Sequence, residues 1–121
     1  TKVDEQVGLL LTNAEGQMAT VMLSLHSKQP KRGMVSCEKG YIEVMEYPRA
    51  WEAKITYTDS EKTELIKAGE NADALAYELA DMEKAINGDP SCMHLDYTKD
   101  VMDMMTEFRK SWGFTYPEEE K

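Results

Sequence analysis

The chain has 121 residues, of which 41% are apolar and 31% charged, and its net charge at pH 7 is −9. This size and composition predict one globular, soluble domain spanning residues 1–121. The acidic balance argues against nucleic acid and anionic membrane surfaces as partners, and no apolar run approaches the ~20 residues that cross a bilayer. With only two cysteines, Cys37 and Cys92, we expect reduced thiols in a cytoplasmic protein.

The first half of the chain predicts strands. Apolar and polar residues alternate in short runs that end at turn-forming residues, and residues 13–16 form a hairpin turn ending in Gly16. Because every connection is short, the strands are expected to pair mainly antiparallel. The predicted strands are 7–12, 18–26, 34–38, 41–46, 51–57 and 63–66.

The second half predicts two helices. Each carries one apolar stripe at helical spacing, with Gly88 and Gly113 as stop signals and Asp96 or Thr98 as the cap of the second helix. The stripes need a surface to cover, which favours an α+β fold with an open sheet of about six strands and both helices packed on one face. The stripes are Leu75, Leu79, Met82 and Ile86, then Val101, Met105, Phe108 and Trp112.

No cofactor motif is found in the sequence. A dinucleotide-binding turn needs the pattern Gly-x-Gly-x-x-Gly, and no two of the seven glycines are separated by a single residue. The phosphate-binding P-loop does not occur either, because no two glycines are five positions apart. We therefore assign neither a cofactor nor a catalytic residue to this chain.

Candidate contact residues cluster at the end of the second strand. His26 ends that strand, and Lys28, Lys31 and Arg32 concentrate positive charge in an otherwise acidic chain. Such a loop can contact an anionic or hydroxylated substrate, or the acidic surface of a partner domain. The alternative is a plain polar loop beside a sheet-edge histidine.

Cys92, His94 and Asp96 alternate over five residues and carry zinc-ligand side chains. No second ligand pair accompanies them, so a loop leading into a helix is the favoured interpretation and no metal site is assigned. The nine methionines include Met102, Met104 and Met105, which are interpreted as core or interface positions.

Several short motifs occur in an order that resembles the C-terminal domain of the Gfo/Idh/MocA family, the glucose-fructose oxidoreductase and inositol dehydrogenase group. The resemblance covers nearly the whole chain, although each motif alone is short. The matching elements are Leu9-Leu10-Leu11, Glu15-Gly16, 21–26, Pro30-Lys31-Arg32, 34–37, Lys39-Gly40, 41–44, 77–88 and 100–113.

The resemblance implies a C-terminal substrate and oligomerisation domain whose N-terminal Rossmann domain, which would bind NAD or NADP, is absent from this sequence. The family's Glu-Lys-Pro motif is also absent, because Glu61-Lys62 is followed by Thr63. The implied substrate is a sugar or polyol derivative. The second possible function is a free-standing α+β dimerisation module without catalysis.

One face of the sheet is expected to join a second copy. Helices can cover only one side, and alternation places Met22, Tyr41 and Met45 on the other side among polar residues. A contiguous apolar patch on that side favours a two-fold homodimer. Met22, Tyr41 and Met45 are therefore the predicted interface.

Overall fold

The computed structural model describes residues 4–116 and residue 119. They form antiparallel strands in two open sheets, followed by two helices, so the predicted α+β class is confirmed. The strands are β1 (Gln6–Thr12), β2 (Met18–Ser24), β3 (Arg32–Cys37), β4 (Gly40–Met45), β5 (Glu52–Tyr57) and β6 (Thr63–Lys67). The helices are α1 (Ala74–Ile86) and α2 (Leu95–Ser111).

The strands divide between two sheets, whereas the sequence predicted one. β1 pairs with β2 alone, and β3, β4, β5 and β6 form a second sheet in that order. Each sheet follows the chain because short connections join only neighbouring strands. The link between β2 and β3, which contains Pro30, is longer than the hairpin turns, and this is where the pairing stops.

The β1–β2 hairpin is closed by the predicted turn. The Asn13 side-chain oxygen accepts hydrogen bonds from the backbone N–H groups of Glu15, at 3.1 Å, and Gln17, at 2.9 Å. Gly16 adopts a φ of 80°, which a residue with a Cβ rarely adopts. This turn sets the register that places Leu9 opposite Val21.

Gly40 fixes the approach of β5 to β4. Its Cα faces Tyr57 in the antiparallel register, and a Cβ built on Gly40 would lie 2.2 Å from the backbone oxygen of Thr56. No side chain fits at that distance. The glycine of the predicted Lys39-Gly40 turn therefore serves strand pairing as well as the turn.

Both helices end as the glycine pattern predicts. After α1, Gly88 has a φ of 97°, and the N–H of Asp89 donates to the carbonyl of Lys84 at 2.9 Å. After α2, the N–H of Phe114 donates to the carbonyl of Arg109 at 3.1 Å. Both are Schellman closures, which satisfy carbonyl groups that the helix leaves unpaired.

The predicted cap of α2 is wrong. His94, with a φ of 45°, is the N-cap residue, and its side chain makes no capping hydrogen bond. Asp96 instead lies in the first turn of α2, where its carboxylate interacts favourably with the positive end of the helix dipole. The helix begins before Asp96 because a turn closed by Met93 N–H and Pro90 C=O delivers the chain at Leu95.

The apolar helix stripes are exposed, which corrects the expectation that they are buried against a sheet face. Leu79, at the centre of the α1 stripe, is 70% exposed, and Val101, Met105 and Trp112 of the α2 stripe are also exposed. Among residues 4–116 and 119, no side chain is fully buried. The sequence pattern shows which face of a helix is apolar, but it does not show which surface covers that face.

The chain divides into two compact units. The first holds β1 to β4 with residues 54–64, and the second holds residues 49–53 with both helices. Within the described part of the chain, neither helix is both long enough and apolar enough to span a membrane.

Candidate functional site

His26 lies just beyond β2 in a tight polar turn. The hydroxyl oxygen of Ser24 accepts hydrogen bonds from the backbone N–H groups of His26 and Ser27, each at 3.1 Å. The imidazole Nε2 lies 2.6 Å from a carboxylate oxygen of Glu5, and both side chains are exposed. The imidazole therefore already faces a carboxylate of its own chain at the open end of the hairpin.

One residue of the basic loop after His26 forms an ion pair with a neighbouring strand. An Arg32 guanidinium nitrogen lies 3.8 Å from a Glu43 carboxylate oxygen, across the β3–β4 pair. Lys28 and Lys31 are exposed, and neither has an ion-pair partner among the described residues. Two of the four predicted contact residues thus remain available to an external anion, and two already face carboxylates.

The register of the four-stranded sheet separates an apolar side from a mixed side. One side, which we call the apolar sheet face, is aliphatic and aromatic, with Val35 exposed and the others half-buried. Its members are Val35, Ile42, Val44, Ile55 and Tyr57. The other side, the mixed sheet face, consists of Arg32, Met34, Ser36, Tyr41, Glu43, Met45, Lys54 and Thr56.

The three predicted interface residues do not lie in one sheet. Tyr41 and Met45 lie on the mixed sheet face, as predicted. Met22 belongs to the β1–β2 hairpin, where it is 73% exposed and faces Gly8 of β1. The prediction assumed one continuous sheet, and the division into two sheets separates Met22 from the other two residues.

The hairpin also has one strongly apolar side. Opposite positions in an antiparallel pair point to the same side, so Leu9 with Val21 and Leu11 with Ala19 form part of an aliphatic strip. A two-stranded sheet is marginally stable in water unless such a strip is covered. The hairpin therefore needs a further layer.

The sequence interpretation missed an aromatic cleft in the second unit. The cleft holds about 290 Å³ and lies at the lower end of the size range of small-molecule sites. Small residues separate Trp51 from Tyr77, and three polar side chains contribute to the lining. The lining residues are Arg49, Ala50, Trp51, Ala68, Gly69, Glu70, Asn71, Ala74 and Tyr77.

Local contacts hold the walls of this cleft. The Glu70 backbone N–H donates to the Tyr77 hydroxyl at 3.1 Å, and the Ala68 N–H donates to the Trp51 carbonyl at 2.9 Å. The Lys67 ammonium lies 4.8 Å from the centre of the Trp51 ring, at cation–π distance. No sequence motif predicted the cleft, because its residues come from two separate parts of the chain, 49–51 and 68–77.

The other reactive side chains of the described residues include two thiols that lie apart from each other along the chain. The thiols of Cys37 and Cys92 are free and exposed, and the His94 ring stacks on Tyr97 at 5.1 Å. Within the part of the chain that the structure describes, no group of three or more His, Cys, Asp or Glu side chains is arranged to hold a metal ion. Cys92 precedes α2, His94 is its N-cap residue and Asp96 lies in its first turn.

Shifted pKa values occur at surface contacts rather than in a cleft. The hydrogen bond from Lys62 to Glu64 raises the pKa of the lysine, and the bond from Lys84 to Asp81 does the same for Lys84. Hydrogen bonds from Ser91 lower the pKa of Asp89. A catalytic acid and base need shifted groups that converge on one cavity, and these contacts are dispersed along the chain.

Comparison with known proteins returned no family model, curated protein or solved structure that matches the chain.

Proposed function

We propose that this chain is the sheet domain of an NAD- or NADP-dependent oxidoreductase that acts on a sugar or polyol derivative in the cytoplasm. In this proposal the domain supplies a wall of the substrate cleft and a subunit interface. The cofactor is held by a separate nucleotide-binding domain, so the 121-residue chain alone transfers no hydride. The order of strand, turn and helix motifs, with Pro30-Lys31-Arg32 at the centre, supports the family assignment.

The exposed apolar surface carries the structural part of the proposal. The β1–β2 hairpin, the apolar sheet face and both helix stripes all present aliphatic or aromatic side chains that the chain does not fully bury. Monomeric proteins rarely leave contiguous apolar patches of more than a few hundred Å² in water. These surfaces are typical of a domain that is completed by another polypeptide, which we identify as the nucleotide-binding domain.

The basic loop is assigned to the substrate side. Lys28 and Lys31 have no carboxylate partner among the described residues, although acidic residues outnumber basic ones by 23 to 14. Cations left unpaired in an acidic chain attract hydroxyl-rich or anionic ligands and acidic protein surfaces. We place the substrate, or the edge of the partner domain, beside this loop.

The test is the coding sequence that precedes Thr1. We expect it to encode a strand, a Gly-x-Gly-x-x-Gly turn and a helix, and the longer polypeptide to bind NADH or NADPH with a Kd below about 1 mM. The 121-residue chain should show no saturable binding in the same titration. Saturable binding by the short chain, or a longer polypeptide without a nucleotide-binding motif, contradicts the proposal.

A homodimerisation module is the second candidate, and the mixed sheet face favours it. Among its residues, the Arg32 guanidinium lies 3.8 Å from a Glu43 carboxylate oxygen, and Lys54 is the register partner of Glu43, so this face carries two cations and one carboxylate in a chain of net charge −9. Two copies can meet there with little net repulsion, around exposed Met34 and Met45. Sedimentation of the chain at micromolar concentration tests this candidate, and a clean monomer contradicts it.

A further inference from the structure

Arg109, in the last turn of α2, is less exposed than the charged side chains in the other ion pairs of this helix. The Arg109 side chain is 19% exposed, and both of its terminal nitrogens contact the two carboxylate oxygens of Glu119. The Nη2 to Oε1 distance is 2.9 Å. This two-pronged geometry is the strongest form of an arginine–carboxylate pair, because two hydrogen bonds form in parallel.

Tyr116 lies against the same ion pair. The guanidinium carbon of Arg109 is 4.7 Å from the centre of the Tyr116 ring, and the Tyr116 N–H donates to a Glu119 carboxylate oxygen at 3.2 Å. The Glu119 N–H in turn donates to the Tyr116 carbonyl at 2.9 Å. The Glu119 carboxylate therefore accepts hydrogen bonds from the Arg109 side chain and the Tyr116 backbone, and the Arg109 guanidinium contacts both this carboxylate and the Tyr116 ring.

From this arrangement we propose that Arg109, Tyr116 and Glu119 form a charge-dependent latch that holds Tyr116 and Glu119 against the last turn of α2 and opens when Glu119 is protonated. The Schellman closure at Gly113 turns the chain back toward the helix. The latch then holds Tyr116 and Glu119 beside Arg109. Closure of the latch depends on charge because an ionised carboxylate only accepts hydrogen bonds, whereas a protonated carboxyl group also carries an O–H donor.

Other ion pairs on α2 differ from the latch in kind. Lys99 pairs with Asp103, and Lys110 pairs with Glu107, within the helix and between well-exposed side chains. Such pairs contribute little beyond local helix stability. Arg109 and Glu119 are ten residues apart, and Glu119 lies outside α2, so their contact joins the helix to a residue beyond its end.

The titration behaviour of the pair supports an acid-released latch. The hydrogen bond from Arg109, with a smaller contribution from the Tyr116 N–H, holds the pKa of Glu119 below its ordinary value, although partial desolvation opposes this. The groups shown to act on Glu119 within the described chain are Arg109 and Tyr116. A lowered carboxyl pKa stabilises the closed form above the ordinary pKa of about 4.3, and this stabilisation is lost as the pH falls through the lowered value.

The test is NMR spectroscopy of the full 121-residue chain between pH 7 and pH 3, with the Tyr116 amide and the Arg109 side-chain N–H as reporters. Glu119→Gln removes the charge and keeps the size, and we expect it to raise Tyr116 amide exchange at pH 7 by roughly five-fold. Arg109→Lys keeps the charge but loses the fork, so an intermediate increase is expected. Glu107→Gln, which removes the partner of Lys110 on the same helix, is the matched control and should leave Tyr116 unchanged.

The proposal is overturned if Glu119→Gln matches the unmutated chain, or if Glu107→Gln has the same effect. It is equally overturned if the unmutated Tyr116 amide already exchanges at the rate of an unfolded chain at pH 7. Each result is independent of whether the chain belongs to an oxidoreductase.

Discussion

Replacing Gly40 with alanine tests the account of how β4 meets β5. The added Cβ would lie 2.2 Å from the Thr56 backbone oxygen, 3.1 Å from the Thr56 carbonyl carbon and 3.2 Å from the Tyr57 Cα. A carbon and an oxygen that are not bonded need roughly 3.2 Å or more, judged from the closest C–H···O contacts in sheets. The two strands must therefore separate by about 1 Å at this point, and the neighbouring groups are backbone rather than flexible side chains.

The cost follows from overpacking and from lost strand pairing. Forcing an extra methyl group into a packed site costs about 1–3 kcal/mol, and each weakened hydrogen bond of the β4–β5 ladder adds about 0.5–1.5 kcal/mol. Gly40 begins a register of four pairs that ends at Glu43 and Lys54. We expect Gly40→Ala to lower the free energy of unfolding of this sheet by about 2–4 kcal/mol.

Gly33→Ala is the matched control, because Gly33 also lies in a strand of the same sheet, but a Cβ added there would have no neighbouring atom within 4 Å. Alanine there should stabilise the strand by up to about 1 kcal/mol. Urea denaturation followed by circular dichroism measures both variants. Equal midpoints for Gly40→Ala and Gly33→Ala would refute the proposed close approach.

Three further predictions test other parts of the account. Leu79→Ala should change the stability of the 121-residue chain by less than about 1 kcal/mol, because Leu79 is 70% exposed. In a polypeptide that covers α1 it should cost about 2–5 kcal/mol, and a cost of that size already in the 121-residue chain would show that the chain covers α1 itself. Thr56→Val should leave the free energy of unfolding unchanged or raise it by up to about 1 kcal/mol, because the Thr56 hydroxyl is shielded from solvent and has no hydrogen-bond partner in the described chain. A clear loss of stability would show that the hydroxyl has a partner. Met45→Lys should weaken self-association, measured by sedimentation, more than Met22→Lys does, because only Met45 shares the mixed sheet face with Tyr41. A larger effect of Met22→Lys would place the interface on the hairpin.

Local chemistry made the elements of this fold predictable. The turn at Asn13 and Gly16 and the helix ends at Gly88 and Gly113 depend on backbone conformations that glycine adopts readily, and the structure confirms them. Strand and helix periodicities also gave the type of every long element. These signals are carried by residues close in sequence, so no tertiary information was needed.

The start of α2 and the pairing of the strands were less predictable. Asp96 is a good cap by composition, but a turn ending at Met93 delivers the chain to the helix before it. Alternation assigns Met22 and Met45 to comparable faces, yet it cannot show that their strands belong to separate sheets. Which strands become neighbours depends on the connections and on tertiary contacts.

The candidate sites show the same division. The basic loop was visible as a run of cations, but the partners that engage His26 and Arg32 lie 21 and 11 positions away in the sequence. Neither the cleft nor the latch has a distinctive sequence pattern. The cleft brings together Trp51 and Tyr77, and the latch brings together Arg109 and Glu119, residue types that are common in strands, helices and loops. Such sites arise from tertiary proximity, and a single sequence contains no signal for it.

The central claim is that another polypeptide completes the apolar surfaces of this chain. The most direct measurement is the solvent accessibility of the methyl groups of Val35, Leu79 and Ile86, using a soluble paramagnetic probe in NMR. It compares the 121-residue chain with the longer polypeptide that the proposed function expects. The account predicts methyl signals that are strongly attenuated in the short chain, where all three side chains are exposed, and protected in the longer one. Methyl groups already protected in the short chain as a monomer would contradict it.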